Sequence, residues 1–226
     1  MDGSCIIGNI MATNVYIDGF NLYYGSLKFS QYKWLDVSKL VTSLYPTVTI
    51  NRIRYFTAQV KEWLHDKDAP VRQNIYLRAL RTLTNITIHE GRFALREVRL
   101  PQFPLAYVNG NYTKPPQNVQ VLKPEEKRSD VNLATMLLMD YFQNDFDDAI
   151  VITNDSDLSS PIDVTVRVCG KKVHVVNPHK RSNLSRELSS VATSIMPEIN
   201  KRHLIVSQFP PTMTDSIGTF TKPSSW

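Results

Sequence analysis

Apolar positions recur along the chain at two spacings, near two residues and near 3.6, and the two take turns. Residues 14–17 form a short β-type run that ends at Asp18, where Gly19 and Asn21 break it. Residues 37–44 have helical spacing, with Asp36 placed to cap the first turn. Residues 49–57 (TINRIRYFT) alternate and are rich in β-branched and aromatic side chains, which predicts a strand. Pro70 opens a helical run to residue 83, and residues 84–89 (TNITIH) predict a third strand.

The rhythm then stops. Between 91 and 126, Pro101, Pro104, Pro115, Pro116 and Pro124 interrupt any helix, and Asn109-Gly110-Asn111 is a hairpin turn signal. This stretch is expected to leave the main body as a β-hairpin or arm. Helical spacing returns at Ser129 through Tyr141. The apolar run DAIVIT, residues 148–153, reads as a strand buried on both faces. Helix 158–169, a stop at Gly170, strand 172–176 and helix 183–192 follow. Repeated strand–helix alternation implies parallel βαβ units, hence an α/β fold with helices on both faces of a central, mostly parallel sheet. The organisation expected is a disordered extension at 1–13, one domain over 14–206 with the arm inserted at about 91–126, and a tail at 207–226. Phe209, Phe220 and Trp226 would anchor that tail.

Composition narrows the class. The hydrophobic fraction of 42% and charged fraction of 21% are those of a globular chain. No apolar stretch approaches the ~18 residues of a membrane span. The opening MDGSCIIGNIM lacks a basic region, so a secretory leader is not expected. Cys5 and Cys169 form no CxxC or Cys/His cluster, which suits a reducing cytoplasm. Net charge is +5, unevenly placed. Residues 51–128 carry 14 Lys/Arg against 7 Asp/Glu, a balance of +7, and the remainder carries 12 against 14, a balance of −2. A basic middle attracts a polyanion, although a solvated surface with a mild excess has the same composition.

The candidate chemistry lies in carboxylates. Asp18 ends the first strand, and Asp155 and Asp157 follow the DAIVIT strand within TNDSD. Asp130 starts the helix before that strand, and such a helix runs antiparallel to the sheet. All four therefore fall at the carboxyl edge, where open α/β sheets bind ligands. Crowded carboxylates repel, and Mg²⁺ or Mn²⁺ relieves the repulsion and activates water. Each residue also has a plainer reading as a helix cap or first-turn acid. A calcium loop starting at Asp155 fails, because Ser160 and Val166 stand where Gly and Glu are required. Asp145, Asp147 and Asp148 precede the strand and read as solvated turn residues. Neither a glycine-rich phosphate loop nor a GxSxG elbow is present, and the histidines show no ligand spacing.

IDGFNLYYG, EEKRSDVNLATMLLMD, DDAIVITNDSDLSSPI and GKKVHVVNP, in this order, resemble the NYN domain family, the LabA-like group of the PIN-like nuclease superfamily. The resemblance runs from about Asn14 to Trp226. It implies a three-layer α/β/α fold and a metal-dependent ribonuclease with Asp18, Asp130, Asp155 and Asp157 as ligands. Asn21 and Asn154 would support them from behind. Asn154 stands where many relatives have glycine, which leaves the acidic positions intact. The expected reaction is hydrolysis of RNA phosphodiesters with Mg²⁺ or Mn²⁺, leaving a 5′-phosphate and a 3′-hydroxyl.

Arg52, Arg54, Lys61, Arg92, Arg96, Arg99, Lys127 and Arg128 are candidates for phosphate contacts, and Tyr23, Tyr24, Phe93 or Tyr112 for base stacking, unless those rings are core. Two rivals stay open: an RNA-binding adaptor without turnover, and a phosphatase, for which the Gly19-Phe20 that follows Asp18 is the wrong sequence. The arm has its own alternative as a homo-oligomer contact through Phe103, Leu105, Tyr107 and Val108.

Overall fold

The computed structural model describes residues 12–62, 66–103, 107–108, 111–112, 118–180 and 182–226. The expected extension at 1–13 lies almost wholly outside them, and β1 begins at Thr13. In chain order the elements are β1 (Thr13–Asp18), α1 (Gly19–Leu22), α2 (Val37–Leu44), β2 (Ile50–Ala58), α3 (Ala69–Leu80) and β3 (Ile86–Pro101). Next are β4 (Tyr107–Val108), β5 (Asn111–Tyr112), β6 (Asn118–Lys127), α4 (Ser129–Phe142), β7 (Asp148–Ile152) and α5 (Ser159–Asp163). The chain ends with β8 (Lys172–Val176), α6 (Arg186–Val191), β9 (Ser194–Met196), α7 (Lys201–Val206), β10 (Thr212–Asp215) and β11 (Gly218–Thr221).

Among the described residues one sheet runs β6-β3-β2-β1-β7-β8-β9, parallel throughout except for the β3–β6 pair. Every residue of β1 is buried, because strands flank it and helices cover both faces. Its alternation sorts the core. Val15 and Ile17 pack with α2 and α3, whereas Tyr16 packs with Phe56 and with Leu133 and Leu137 of α4. The result is a three-layer α/β/α sandwich of PIN-like type. From β1 the chain passes to β2 on one side, and only after α4 does it return to β7 on the other. The sheet order therefore reverses at β1, which opens a crevice beyond the carboxyl ends of β1 and β7.

The third strand is much longer than the six residues expected. β3 pairs with β2 as far as Ala58↔Gly91, then continues outward and pairs antiparallel with β6 from Arg92↔Lys127 to Pro101↔Asn118. The insertion is thus a two-stranded ribbon growing out of the sheet. Pro124 is tolerated in β6 because that strand is an edge. Gly91 sits at the junction, where a Cβ would lie 2.5 Å from the Lys127 carbonyl oxygen. Tyr107↔Tyr112 and Val108↔Asn111 pair across the expected Asn109-Gly110 turn, which itself lies outside the described residues.

Other boundaries differ too. The expected helix 158–169 divides into a 3-10 turn at Ser156–Leu158, α5, and a π-turn at Val164–Val168. The expected tail contains a hairpin of β10 and β11. Phe209, Phe220 and Trp226 pack around Trp34, and Arg78 pairs with Asp215 through two contacts of 2.7 Å.

Candidate active site

Three elements deliver carboxylates to the β1/β7 crevice. β1 ends in Asp18, the first turn of α4 carries Asp130, and Asp155 leads the 3-10 turn after β7. One oxygen from each lies within 4.8 Å of the other two.

Asp18 is 3% exposed. Its Oδ1 accepts the Asn21 backbone N–H at 2.9 Å, and Oδ2 accepts Asn21 Nδ2 at 3.0 Å and Thr153 Oγ1 at 3.2 Å. Asp18 is therefore the cap of α1 and a member of the cluster at once, so the two readings of its sequence position do not compete. Asp155 repeats the device: its Oδ1 accepts the Asp157 backbone N–H at 3.0 Å. Gly19 is required for close approach. A Cβ there would lie 2.7 Å from the Phe56 carbonyl oxygen and 2.8 Å from Tyr55 Oη.

Burial raises the Asp18 carboxyl above its ordinary range, opposed by the bonds from Asn21 and Thr153. Asp130 is pushed up to about 7, first by burial and then by Asp18, Asp155, Glu126 and Asp157. Asp157 is exposed and acts on Asp130 through space, but it stands outside the triad. Its backbone, rather than its carboxylate, organises Asp155.

The supporting residues are partly those expected. Asn21 fixes Asp18, and Asn21 Oδ1 also accepts the Asn154 backbone N–H at 3.1 Å and lies 3.0 Å from His179 Nε2. The Asn154 side chain turns away: Nδ2 donates to the Asn183 carbonyl at 3.2 Å and Oδ1 accepts from Ser185 N at 2.8 Å. It ties the loop to the start of α6, a role in which glycine could not serve. Thr153, His179 and Glu126 were not foreseen. Thr153 is the last apolar-looking position of DAIVIT, and only its hydroxyl, aimed at Asp18, separates it from a core residue.

The basic candidates divide. Arg54 is removed from any RNA surface, because it is buried and binds Asp140 through contacts of 2.6 and 2.5 Å. Asp140 lies ten residues along α4 from Asp130, about 15 Å at the helical rise. Arg52 pairs with Asp145, which also accepts Asn14 Nδ2 at 2.9 Å, so Asp145 is not a free solvated acid. Arg92, Arg96, Arg99, Lys127 and Arg128 are exposed. By strand alternation Arg92 and Arg96 share one ribbon face with Lys123 and Lys127, while Arg99 falls on the face of Phe93.

A sequence model of the NYN domain matches residues 12–198. The chain belongs to the NYN domain family. All three clustered carboxylates lie inside the matched span, and the β10–β11 tail lies beyond it. This NYN chain is 31% identical over 241 residues to 6-hydroxy-3-succinoylpyridine 3-monooxygenase HspA of Pseudomonas putida, covering 96% of this chain and 75% of that one. It also resembles the crystal structure of a protein of unknown function from Vibrio parahaemolyticus, with a TM-score of 0.52 and 13% identity over 89% of this chain and 98% of that one. That likeness concerns the fold alone. No helix among the described residues is long and apolar enough to cross a membrane.

Proposed function

We propose that this NYN domain is a divalent-cation-dependent ribonuclease. The observation that carries the reading is the convergence of Asp18, Asp130 and Asp155, from three separate segments, within 4.8 Å at the point where the strand order reverses. The donor set is all carboxylate oxygen, which suits Mg²⁺ or Mn²⁺. Burial first, and then the neighbouring carboxylates, raise the Asp130 carboxyl, and a cation would relieve the second of these effects. A cation held by these three residues would supply positive charge against the phosphate and make water more acidic.

The chain's own groups have distinct tasks. Asn21 and Thr153 hold Asp18 in one orientation. The Asp157 N–H holds one oxygen of Asp155 and so fixes the carboxylate within the cluster. Asp130 would be drawn to its ionised form by a bound cation and offers the third carboxylate oxygen. Asp157 adds negative charge at the rim. The ribbon supports the assignment of a polyanionic substrate. Arg92 faces Lys127 and Arg96 faces Lys123, two like-charge cross-strand pairs with only Glu125 between the lysines. Directly opposed like charges destabilise a ribbon, and phosphates would relieve them.

The test is end-labelled RNA incubated with Mg²⁺, Mn²⁺ or EDTA, beside Asp155→Asn. Cation-dependent products with 5′-phosphate ends are expected. RNA bound but uncut under every condition would favour an adaptor. The HspA relative favours a second reading, hydroxylation of a hydroxypyridine. Consumption of 6-hydroxy-3-succinoylpyridine by the purified chain with a reductant and oxygen, and no RNA cleavage, would establish that alternative.

A further inference from the structure

Next to the carboxylates, and not part of them, is a cavity of about 550 Å³ walled by aromatic rings. Tyr23, Tyr24, Tyr55, Tyr76, Phe93 and Trp226 all contribute. The size and lining are those of a small-molecule site. Tyr55, 5% exposed, is among the lining residues, and its hydroxyl lies close against the Gly19 backbone. The hydroxyl is not among the sealed polar atoms without a partner, so it opens into the cavity and is free to meet a ligand's polar edge. Tyr24, 54% exposed, stands at the mouth, in edge-to-face contact with Tyr23. Lys28, Lys33 and Lys61 line the same space, with Lys28 Nζ 4.7 Å above the Tyr24 ring.

The cavity is joined to the carboxylate cluster by one residue. Gly19 lines it and follows Asp18 directly, and Tyr55 Oη touches the Gly19 backbone closely enough that no Cβ fits. The geometry points to this cavity as the seat of one unstacked nucleobase, from the nucleotide that adjoins the cleaved phosphate. The base takes the place of Lys28 Nζ over the Tyr24 ring, whose near-parallel neighbour is Phe20. Its polar edge meets Tyr55 Oη, and its phosphate passes Gly19 toward Asp18 with the displaced lysine as counter-charge. Phe93 and Pro124 of the ribbon close one wall, so the ribbon completes the site as well as presenting cations. The assignment to RNA rests on the nuclease reading.

The test is calorimetric titration of the full chain in EDTA, where no cleavage occurs. The probes are nucleoside 5′-monophosphates, ribose 5-phosphate and 6-hydroxynicotinate. A nucleotide is expected to bind saturably and ribose 5-phosphate not to bind. Tyr24→Ala should weaken nucleotide binding about fivefold or more, and Tyr55→Phe, which keeps the ring and the fold, by roughly threefold to tenfold. Saturable binding of no nucleotide, affinity unchanged in both variants, or binding of 6-hydroxynicotinate alone would each overturn the assignment. RNA cleavage by the same preparation is scored separately. Cleavage without base binding refutes the cavity alone, and base binding without cleavage refutes the nuclease reading alone.

Discussion

Asn21 grips Asp18 at both oxygens, with its backbone N–H 2.9 Å from Oδ1 and its side-chain Nδ2 3.0 Å from Oδ2. The same side chain links that carboxylate to the loop before Asp155 and to His179. Asn21→Ala keeps the backbone bond and loses the rest. Outer-sphere partners of this kind typically matter by 10- to 100-fold in metal affinity or activity. The variant is expected to need more Mg²⁺ or Mn²⁺ for half-maximal cleavage, with its melting temperature little changed. A cation titration at fixed RNA checks this, and an unshifted midpoint would sink it.

The raised Asp130 carboxyl makes a pH prediction. In the folded chain it titrates at about 7, and in the unfolded chain near 3.9. Between those values the folded state holds a proton that the unfolded state has released, so the metal-free protein loses stability as pH rises from about 4 to 7. Burial of Asp18 acts in the same direction. Glu125 and Asp215 are held below their ordinary range by Lys127, Lys123 and Arg78, so their contribution is lost only as pH falls below about 4. Thermal melts in EDTA should therefore fall across pH 5–7, and Asp130→Asn should flatten the slope. A saturating divalent cation should raise the pH 7 melting temperature and reverse the trend.

How far the sequence reached is clearest at particular residues. DAIVI announces a doubly buried strand because no polar residue interrupts it, and the placement of Asp18 and Asp155 follows from strand ends alone. Asp130 needed only the direction of a crossover helix. Arg54 could not be read. A strand's period of two puts it on a face, but nothing local reveals that the face meets Asp140, 86 residues later. The ribbon was legible as an excursion but not as a continuation of β3. Its first residues carry the same alternation as the strand, and the backbone runs through residue 91 without a break as far as Pro101.

The Arg54–Asp140 pair should be structural and separate from the site. Asp140 is completely buried and also accepts Tyr16 Oη at 2.7 Å. Asp140→Ala leaves the guanidinium buried without a counter-charge, a change that costs roughly 3–5 kcal/mol in comparable buried pairs. Chemical denaturation should register that loss. Cleavage per folded molecule, measured at low temperature, should stay near the parent value. A stability unchanged within about 1 kcal/mol would mean that the pair is solvated.

The ribbon makes the most discriminating prediction about RNA, because alternation splits its three arginines. Arg92 and Arg96 lie on the face that also carries Lys123 and Lys127, and Arg99 lies on the other. A single strand running along the first face would neutralise cations there and release counterions. Each phosphate contact adds roughly 0.7 to the slope of log K against log salt. The Arg92→Ala/Arg96→Ala double variant should lower that slope by about 1.4, twice the single-contact value. Arg99→Ala should leave it nearly unchanged if the strand follows the Lys-bearing face. The double variant also removes two like-charge cross-strand pairs, so the ribbon itself should not be weakened. Fluorescence anisotropy with a short single-stranded RNA across a salt series reads the slopes, and solution mass reads the competing role. Phe103, near the ribbon tip, is 87% exposed, and a mass that halves on Phe103→Ser, with slopes unaltered in every arginine variant, would make the ribbon a contact between copies of the chain rather than an RNA surface.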